Sequence, residues 1–144
     1  MRRYTIPALG LLLFFALQAF AQEHFSEGPV WEVSLIKIKP NQEDAYLSSL
    51  QERSKPFLEE QKKQGLILDY KFFFNMTQHD PHDWDMALAI QYKNFAALDG
   101  LAAKEEAIRD KIFGSKQTAQ QIGEKRQEMR EIVSTMLLRE INLK

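Results

Sequence analysis

The chain has 144 residues, with 19 Lys and Arg against 20 Asp and Glu, and its formal net charge at pH 7 is −1. This balance excludes the clustered positive charge that nucleic-acid-binding proteins use, so we predict no nucleic-acid partner. The chain contains no cysteine, which excludes disulfides, thiol nucleophiles and lipid attachment through cysteine.

The first 21 residues have the pattern of a secretory signal peptide. Two arginines follow Met1, an almost wholly apolar stretch comes next, and Ala19-Phe20-Ala21 is a small-x-small cleavage sequence. The apolar stretch is too short to span a membrane comfortably, and no stop-transfer pattern follows it. We therefore predict that residues 1–21 are removed on export and that the mature chain begins at Gln22. The mature protein would be periplasmic or secreted, without stable membrane insertion.

The first part of the mature chain predicts a leader, a strand and a helix. Residues 22–29 are polar and contain Gly and Pro, which indicates a flexible leader before a single domain over residues 30–144. The β-branched alternation of Val30–Lys39 predicts a strand. Asn41 is expected to cap a helix that extends to about Gln64, with a kink or break at Pro56 and a stop at Gly65.

Two alternating segments then predict an antiparallel hairpin. The first extends from Leu66 to Met76, and residues 84–92 form the second, after the polar loop 77–83. Burial of each large apolar side chain stabilises a fold by about 1.5–3 kcal/mol, so the even-numbered face of the first segment is predicted to be core. That face carries Leu66, Leu68, Tyr70, Phe72, Phe74 and Met76.

A long helical region and a last strand complete the chain. Asn94 is predicted to cap helical segments that extend to about Met129, with interruptions at Gly114 and Gly123, since each interior glycine costs about 1 kcal/mol relative to alanine. The last strand is predicted at Ile132–Ile141.

The resulting order, β-α-β-β-α-β, predicts an α+β domain whose four-stranded antiparallel sheet has its helices on one face. The other face is expected to mix apolar and polar side chains. It would carry Ile67, Phe73, Ala87 and Ala89 beside Asp69, Lys71 and Gln91. Such a face is too apolar to be left to solvent, so we predict a homodimer in which a second copy covers it.

The chain resembles the dimeric α/β-barrel superfamily, which is ferredoxin-like and includes antibiotic-biosynthesis-monooxygenase-like proteins. The likeness extends from Val30 to Asn142 and rests on the element order and two short sequence segments. These are Val33-Ser34-Leu35-Ile36-Lys37-Ile38-Lys39-Pro40 before an acidic helix and Tyr92-Lys93-Asn94-Phe95 at a strand-to-helix corner. It implies a homodimer whose two sheets close a barrel, with a pocket between each sheet and its helices. The long region 94–129 would cover this pocket or add dimer surface.

Four aromatic residues are candidates to line such a pocket: Tyr70, Phe72, Trp84 and Tyr92. Packed core is the alternative interpretation, above all for Phe72. The loop residues His79, His82 and Asp83 could bind a divalent metal ion, but they match no known ligand spacing, so a solvated turn is the favoured interpretation. We predict no cofactor, and the haem chemistry of some superfamily members is not carried over because both histidines lie in a loop.

The functional prediction is an exported homodimer of unassigned activity that binds a small apolar or aromatic ligand between sheet and helices. The alternative is a cofactor-independent monooxygenase or isomerase, with haem or metal handling as a third possibility. The sequence contains no Ser-His-Asp spacing, glycine-rich phosphate loop or dinucleotide fingerprint. Whether the protein is an enzyme is therefore left open, because a fold alone does not assign chemistry.

Overall fold

A computed structural model describes residues 24–144. The predicted signal peptide and the predicted mature start at Gln22 lie outside these residues. The described elements, in chain order, are β1 (Phe25–Ile38), α1 (Glu43–Ser49), a π-helical turn (Leu50–Ser54), α2 (Lys55–Lys63), β2 (Asp69–Phe74), β3 (Met86–Tyr92), a 3₁₀ turn (Phe95–Leu98), α3 (Leu101–Phe113), α4 (Lys116–Met129) and β4 (Arg130–Leu143).

The four strands form one sheet in the order β2-β3-β1-β4. β3 pairs antiparallel with both β1 and β2, and Ala89 lies opposite Val33 on one side and Lys71 on the other. The hydroxyls of Ser34 in β1 and Thr135 in β4 are 3.1 Å apart. The predicted order β-α-β-β-α-β is therefore confirmed, with two helices, α3 and α4, in the second crossover.

The chain divides into two compact units. Residues 28–140 form the larger one, and the described residues of the smaller one are 24–27 and 141–144. Within the smaller unit, the backbone N–H of Lys144 donates to the carbonyl of His24 at 3.0 Å.

β1 begins five residues earlier than predicted, so the expected flexible leader is wrong for residues 25–29. The glycine at position 28 suggested a flexible segment, but in the structure it lets β1 approach β4 closely. A Cβ at this position would lie 3.1 Å from Cβ of Glu140 in β4, which is tighter than an ordinary van der Waals contact. The glycine therefore serves strand pairing rather than a loop.

The core lies between the sheet and the helices in two clusters. Val30, Leu58, Ile67 and Tyr92 form the first, and Ile36, Tyr46, Leu50 and Met86 form the second. Ile67 was predicted on the opposite face. β2 begins only at Asp69, and Gly65 before it adopts a left-handed conformation with φ of 71°. The strand alternation therefore does not extend back to residue 67.

Because β2 begins later and ends earlier than predicted, fewer of its residues face the core than the sequence suggested. Tyr70 and Phe72 pack against the core clusters as predicted. Leu68, Phe74 and Met76 are 45%, 49% and 87% exposed, so their prediction as core is wrong. They lie at or beyond the ends of the strand, where no helix covers them.

The first helical region extends to Lys63 with one irregularity. Asn41 does not cap it, because this residue has a left-handed conformation with φ of 60° and the helix begins at Glu43. The break predicted at Pro56 takes the form of the π-helical turn directly before α2. Proline lacks an N–H and its ring crowds the preceding turn, which accounts for the wider turn at this place.

The second helical region is interrupted twice, at residues 99–100 and at Gly114, but not at the predicted position Gly123. The side chain of Asn94 accepts a hydrogen bond from the N–H of Ala97 at 3.1 Å, which confirms the predicted cap. Gly114 ends α3 with φ of 83°. Gly123, by contrast, lies within α4 and does not interrupt it. None of the helices in residues 24–144 is long and apolar enough to cross a membrane.

The sheet face opposite the helices is open and partly apolar. The strand register places Phe73, Ala87 and Ala89 on this face, with Lys71 and Gln91 among them. Phe73 is 48% exposed and Leu138 of β4 is 47% exposed. We call this surface the open sheet face.

Candidate functional site

A cavity of about 490 Å³ lies between the sheet and the helices α2, α3 and α4, within the larger unit. Its position matches the pocket that the superfamily resemblance implies. Its lining comprises Glu32, Ser54, Phe57, Leu58, Gln61, Leu88, Ile90, Tyr92, Leu101, Ala102, Glu105, Arg109, Phe113, Ala119, Ile122, Gly123 and Arg126.

The floor of the cavity comes from two neighbouring strands. Glu32 of β1 lies opposite Ile90 of β3, and Tyr92 is two residues further along the same face. Tyr92 is only 3% exposed. Burial raises the pKa of its hydroxyl, and the nearby charges of Glu32 and Glu105 raise it further. Tyr92 is therefore a neutral hydroxyl at physiological pH.

A partly buried polar cluster is built around Glu105 of α3. The side-chain amide of Gln61 donates to one carboxylate oxygen of Glu105 at 2.7 Å, and the guanidinium of Arg109 lies 3.5 Å from the other. Burial raises the pKa of Glu105, and this outweighs the opposite effects of Arg109 and Gln61. A carboxyl group in this situation takes up a proton more readily than an exposed one, and it can exchange protons with a bound ligand.

Two further polar groups line the cavity without partners. The side-chain oxygen of Ser54, a residue that is 7% exposed, has no hydrogen-bond partner within residues 24–144. Nε of Arg126 is likewise buried and unpartnered within the described chain. Burial lowers the pKa of Arg126, and the neighbouring Arg130 lowers it further. Buried polar groups are normally hydrogen-bonded, so each of these two would be stabilised by a hydrogen-bond partner.

The walls between these polar groups are apolar and partly aromatic. The rings of Phe57 in α2 and Phe113 at the end of α3 stack with centroids 5.9 Å apart. The Arg109 guanidinium lies 5.7 Å from the centroid of the Phe57 ring. Such walls, with a few placed polar groups, are typical of sites for small organic ligands.

No known protein family matches the sequence, and no curated protein matches it either. Solved structures nevertheless share its fold. HapK from Hahella chejuensis has a TM-score of 0.51 and 13% sequence identity, over 76% of this chain and 90% of that one. A dimeric ferredoxin-like protein from an uncultured marine organism also has a TM-score of 0.51 and 13% identity, over 83% of this chain and 90% of that one. The fold is ferredoxin-like. This confirms the predicted fold class, and at this identity the likeness shows the fold alone.

Of the four predicted aromatic ligand residues, the ferredoxin-like domain places only Tyr92 at the cavity. The Tyr70 hydroxyl donates to the Glu59 carboxylate at 2.5 Å, and burial together with Glu59 raises the pKa of Tyr70 to about 12. Phe72 packs in the core, edge-on to Tyr70 with ring centroids 5.9 Å apart. Trp84 is half-buried just before β3, and its carbonyl accepts a hydrogen bond from the side chain of Asn75. The structure thus does not bring the four together, and ligand binding by these residues stays a prediction.

The predicted metal residues lie in the loop between β2 and β3. His82 Nδ1 is 3.0 Å from a carboxylate oxygen of Asp80, and the His82 side chain is 95% exposed. Asp83 accepts a hydrogen bond from the N–H of Trp84. Residues 24–144 contain no group of three or more His, Asp or Glu side chains placed to hold a metal ion. The loop with His79 gives the metal hypothesis no support.

The sequence reasoning missed the polar residues of the cavity: Ser54, Gln61, Glu105, Arg109 and Arg126. The charges between residues 104 and 130 alternate in sign, a pattern that is typical of a solvated helical face. One signal was present, because Glu105 falls on the apolar stripe of α3 between Leu101 and Ile108, at helical spacings of four and three. A charged residue on such a stripe indicates a buried polar site.

Proposed function

We propose that this protein is an exported homodimer that binds a small apolar or aromatic ligand in the cavity between sheet and helices. The observation that carries the proposal is the cavity of about 490 Å³, with aromatic and aliphatic walls and unpartnered polar groups. Ligand sites in proteins have volumes of about 300–1,000 Å³ and this kind of lining. Export is inferred from the signal-peptide pattern of the first 21 residues.

The open sheet face supports the homodimer. Large apolar side chains stay exposed there, among them Phe73 at 48%, Ile132 at 50% and Leu138 at 47%. Large apolar side chains that stay exposed on one face of a sheet are typical of an interaction site. The solved ferredoxin-like protein from the marine organism is dimeric, and this chain shares its fold. A second copy packed sheet against sheet would remove these side chains from water.

Glu105 favours a second candidate, a cofactor-independent enzyme that moves protons, such as an isomerase or a monooxygenase. Its carboxyl group has a pKa raised by burial and lies in the same cavity as the buried hydroxyl of Tyr92. This pairing suits general acid–base chemistry on a bound molecule. An enzyme would convert a ligand trapped in the cavity, whereas a binding protein would release it unchanged.

The cavity can be tested with the neutral fluorescent probe N-phenyl-1-naphthylamine. We expect the full mature chain to bind it and Gly123→Phe to bind at least about tenfold more weakly, which corresponds to about 1.4 kcal/mol. Gly123 lines the cavity, so a phenylalanine side chain there would fill part of it. Gly123→Ala is the matched control, because an added Cβ meets no atom within 4 Å. Absence of binding to the wild type, or equal binding to all three proteins, would count against the proposal.

A further inference from the structure

The polar groups of the cavity fall into two sets with different electrostatic neighbours. Tyr92 and Glu105 both interact with the charge of Glu32, and Glu105 also interacts with Arg109. Arg126 instead interacts with Tyr46 and Arg130. The cavity therefore contains an acidic group around Glu105, which is paired with Arg109. Arg126 lines the same cavity but is not part of that group.

Arg126 has no counter-charge of its own. It makes no ion pair with a carboxylate among residues 24–144, whereas Arg109 is paired with Glu105. A guanidinium stays protonated in proteins, so the lowered pKa expresses the unfavourable surroundings rather than a neutral side chain. A half-buried cation beside a second arginine is stabilised by any anion that reaches it.

Ser54 adds a second unpartnered hydrogen-bonding group to the lining of the cavity. Its hydroxyl oxygen is buried in the π-helical turn, lines the cavity and lacks a hydrogen-bond partner within the described chain. The hydroxyl can donate to an anionic oxygen, as the guanidinium does. Ser54 and Arg126 thus both line the cavity with an unpartnered donor, and an oxyanion group has enough acceptor lone pairs for two donors.

From these observations we infer that the cavity selects small organic anions, with the anionic group bound by Arg126 and the Ser54 hydroxyl. This inference rests on the proposed binding function. The apolar body of the ligand would lie along the stacked Phe57 and Phe113. Glu32 interacts electrostatically with Glu105 and repels an anion, so the anionic group of the ligand would lie away from these two residues. The ligand class is an aromatic or aliphatic carboxylate or sulfonate.

Two probes with the same ring framework separate anion selection from apolar binding. 8-Anilinonaphthalene-1-sulfonate carries a sulfonate that the neutral N-phenyl-1-naphthylamine lacks. In Arg126→Gln we expect the Kd for the sulfonate probe to rise at least about tenfold and the Kd for the neutral probe to change by less than about twofold. Lys125→Gln is the matched control, because it removes the same charge from the adjacent exposed position and should change neither value.

Two further variants test whether a loss of binding comes from an unstable protein and whether a probe binds outside the cavity. Arg126→Lys keeps the positive charge but removes the planar guanidinium group. We therefore expect the Kd for the sulfonate probe to rise less than in Arg126→Gln. Gly123→Phe should weaken both probes, because they share the cavity. Binding of the sulfonate probe that survives Gly123→Phe would place it outside the cavity and overturn the inference.

The outcomes also separate this inference from the proposed function. If the neutral probe binds in the cavity but Arg126→Gln leaves the sulfonate probe unaffected, the anion site is wrong and the binding function stands. An equal loss for both probes in Arg126→Gln would assign Arg126 a structural role and overturn the inference. If neither probe binds the wild type, the binding function fails and the anion site fails with it.

Discussion

At the scale of single residues, Asp85 shows how one carboxylate joins three segments. Its two oxygens accept hydrogen bonds from Nζ of Lys37 at 2.9 Å, the backbone N–H of Ile38 at 2.6 Å and the side-chain amide of Gln78 at 2.5 Å. Burial by itself would raise the pKa of Asp85, but these hydrogen bonds together outweigh it and the pKa is lowered. The ionised form of Asp85 therefore stabilises the folded state.

We predict that Asp85→Asn lowers the free energy of unfolding at pH 7 by about 1–3 kcal/mol, because hydrogen bonds to a charged acceptor are lost. A lowered folded-state pKa gives a stabilisation that is present above the unfolded value, about 3.9, and is lost as the pH falls through the folded value. The difference between wild type and variant should therefore shrink below about pH 4. Denaturant unfolding at several pH values measures this.

Asp110→Asn is the matched control for Asp85. Asp110 lies on the exposed surface of α3, so its substitution should change stability by less than about 0.5 kcal/mol. A difference between wild type and Asp85→Asn that stays constant from neutral to strongly acidic pH would contradict the assigned role of the ionised carboxylate.

At the scale of elements, two glycines with similar sequence surroundings have opposite roles. Gly114 separates α3 from α4 and has φ of 83°, a conformation that other residues adopt with strain. Gly123 lies inside α4, where it lowers helix stability without serving a turn. An added Cβ would meet no atom within 4 Å at either position. The backbone conformation alone therefore decides the effect of a substitution.

We predict opposite changes in stability for the two alanine variants. Gly114→Ala should lower the free energy of unfolding by about 1–2 kcal/mol, because alanine is strained in the left-handed region. Gly123→Ala should raise it by about 0.5–1 kcal/mol, because alanine is the better helix former. Denaturant unfolding of both variants measures the two shifts, and changes of the same sign would contradict the assignment.

At the scale of the whole molecule, the helices cover only part of the sheet. The core clusters involve β1, β2 and β3, but β4 has exposed apolar residues on both of its faces. Val133 and Leu137 are 48% and 49% exposed on one face, and Ile132 and Leu138 are 50% and 47% exposed on the other. A strand that is apolar on both faces is unusual at a free edge, because it invites association. The proposed second copy is therefore expected to contact β4.

We predict that the mature protein is a dimer at micromolar concentration and that Leu138→Glu shifts it to monomer. In the dimer, the glutamate of this variant would be buried between the two sheets. An unpaired buried charge weakens the association of the two copies. Met76→Glu is the control, since Met76 is 87% exposed and lies beyond the end of β2. Light scattering measures the molar mass, and a monomeric wild type or an unchanged Leu138→Glu dimer would contradict the proposal.

The sequence by itself determined the order of strands and helices, the cap at Asn94, the break before Pro56 and the end of α3 at Gly114. These features depend on alternation, proline geometry and glycine conformation within a few neighbouring residues. The strand limits were less predictable: Gly28 serves a close approach to β4, and β2 begins too late to carry Ile67 on the open sheet face.

Only the tertiary structure decided which polar residues form the cavity. Tyr70 and Tyr92 have the same place in the strand alternation, yet Tyr70 reaches the surface at Glu59 while Tyr92 lies under α3. Glu105, Arg109 and Arg126 belong to a charged stretch that is typical of a solvated helix. The physical reason is that a side chain's surroundings depend on which distant element packs over it, and a local pattern does not contain that information.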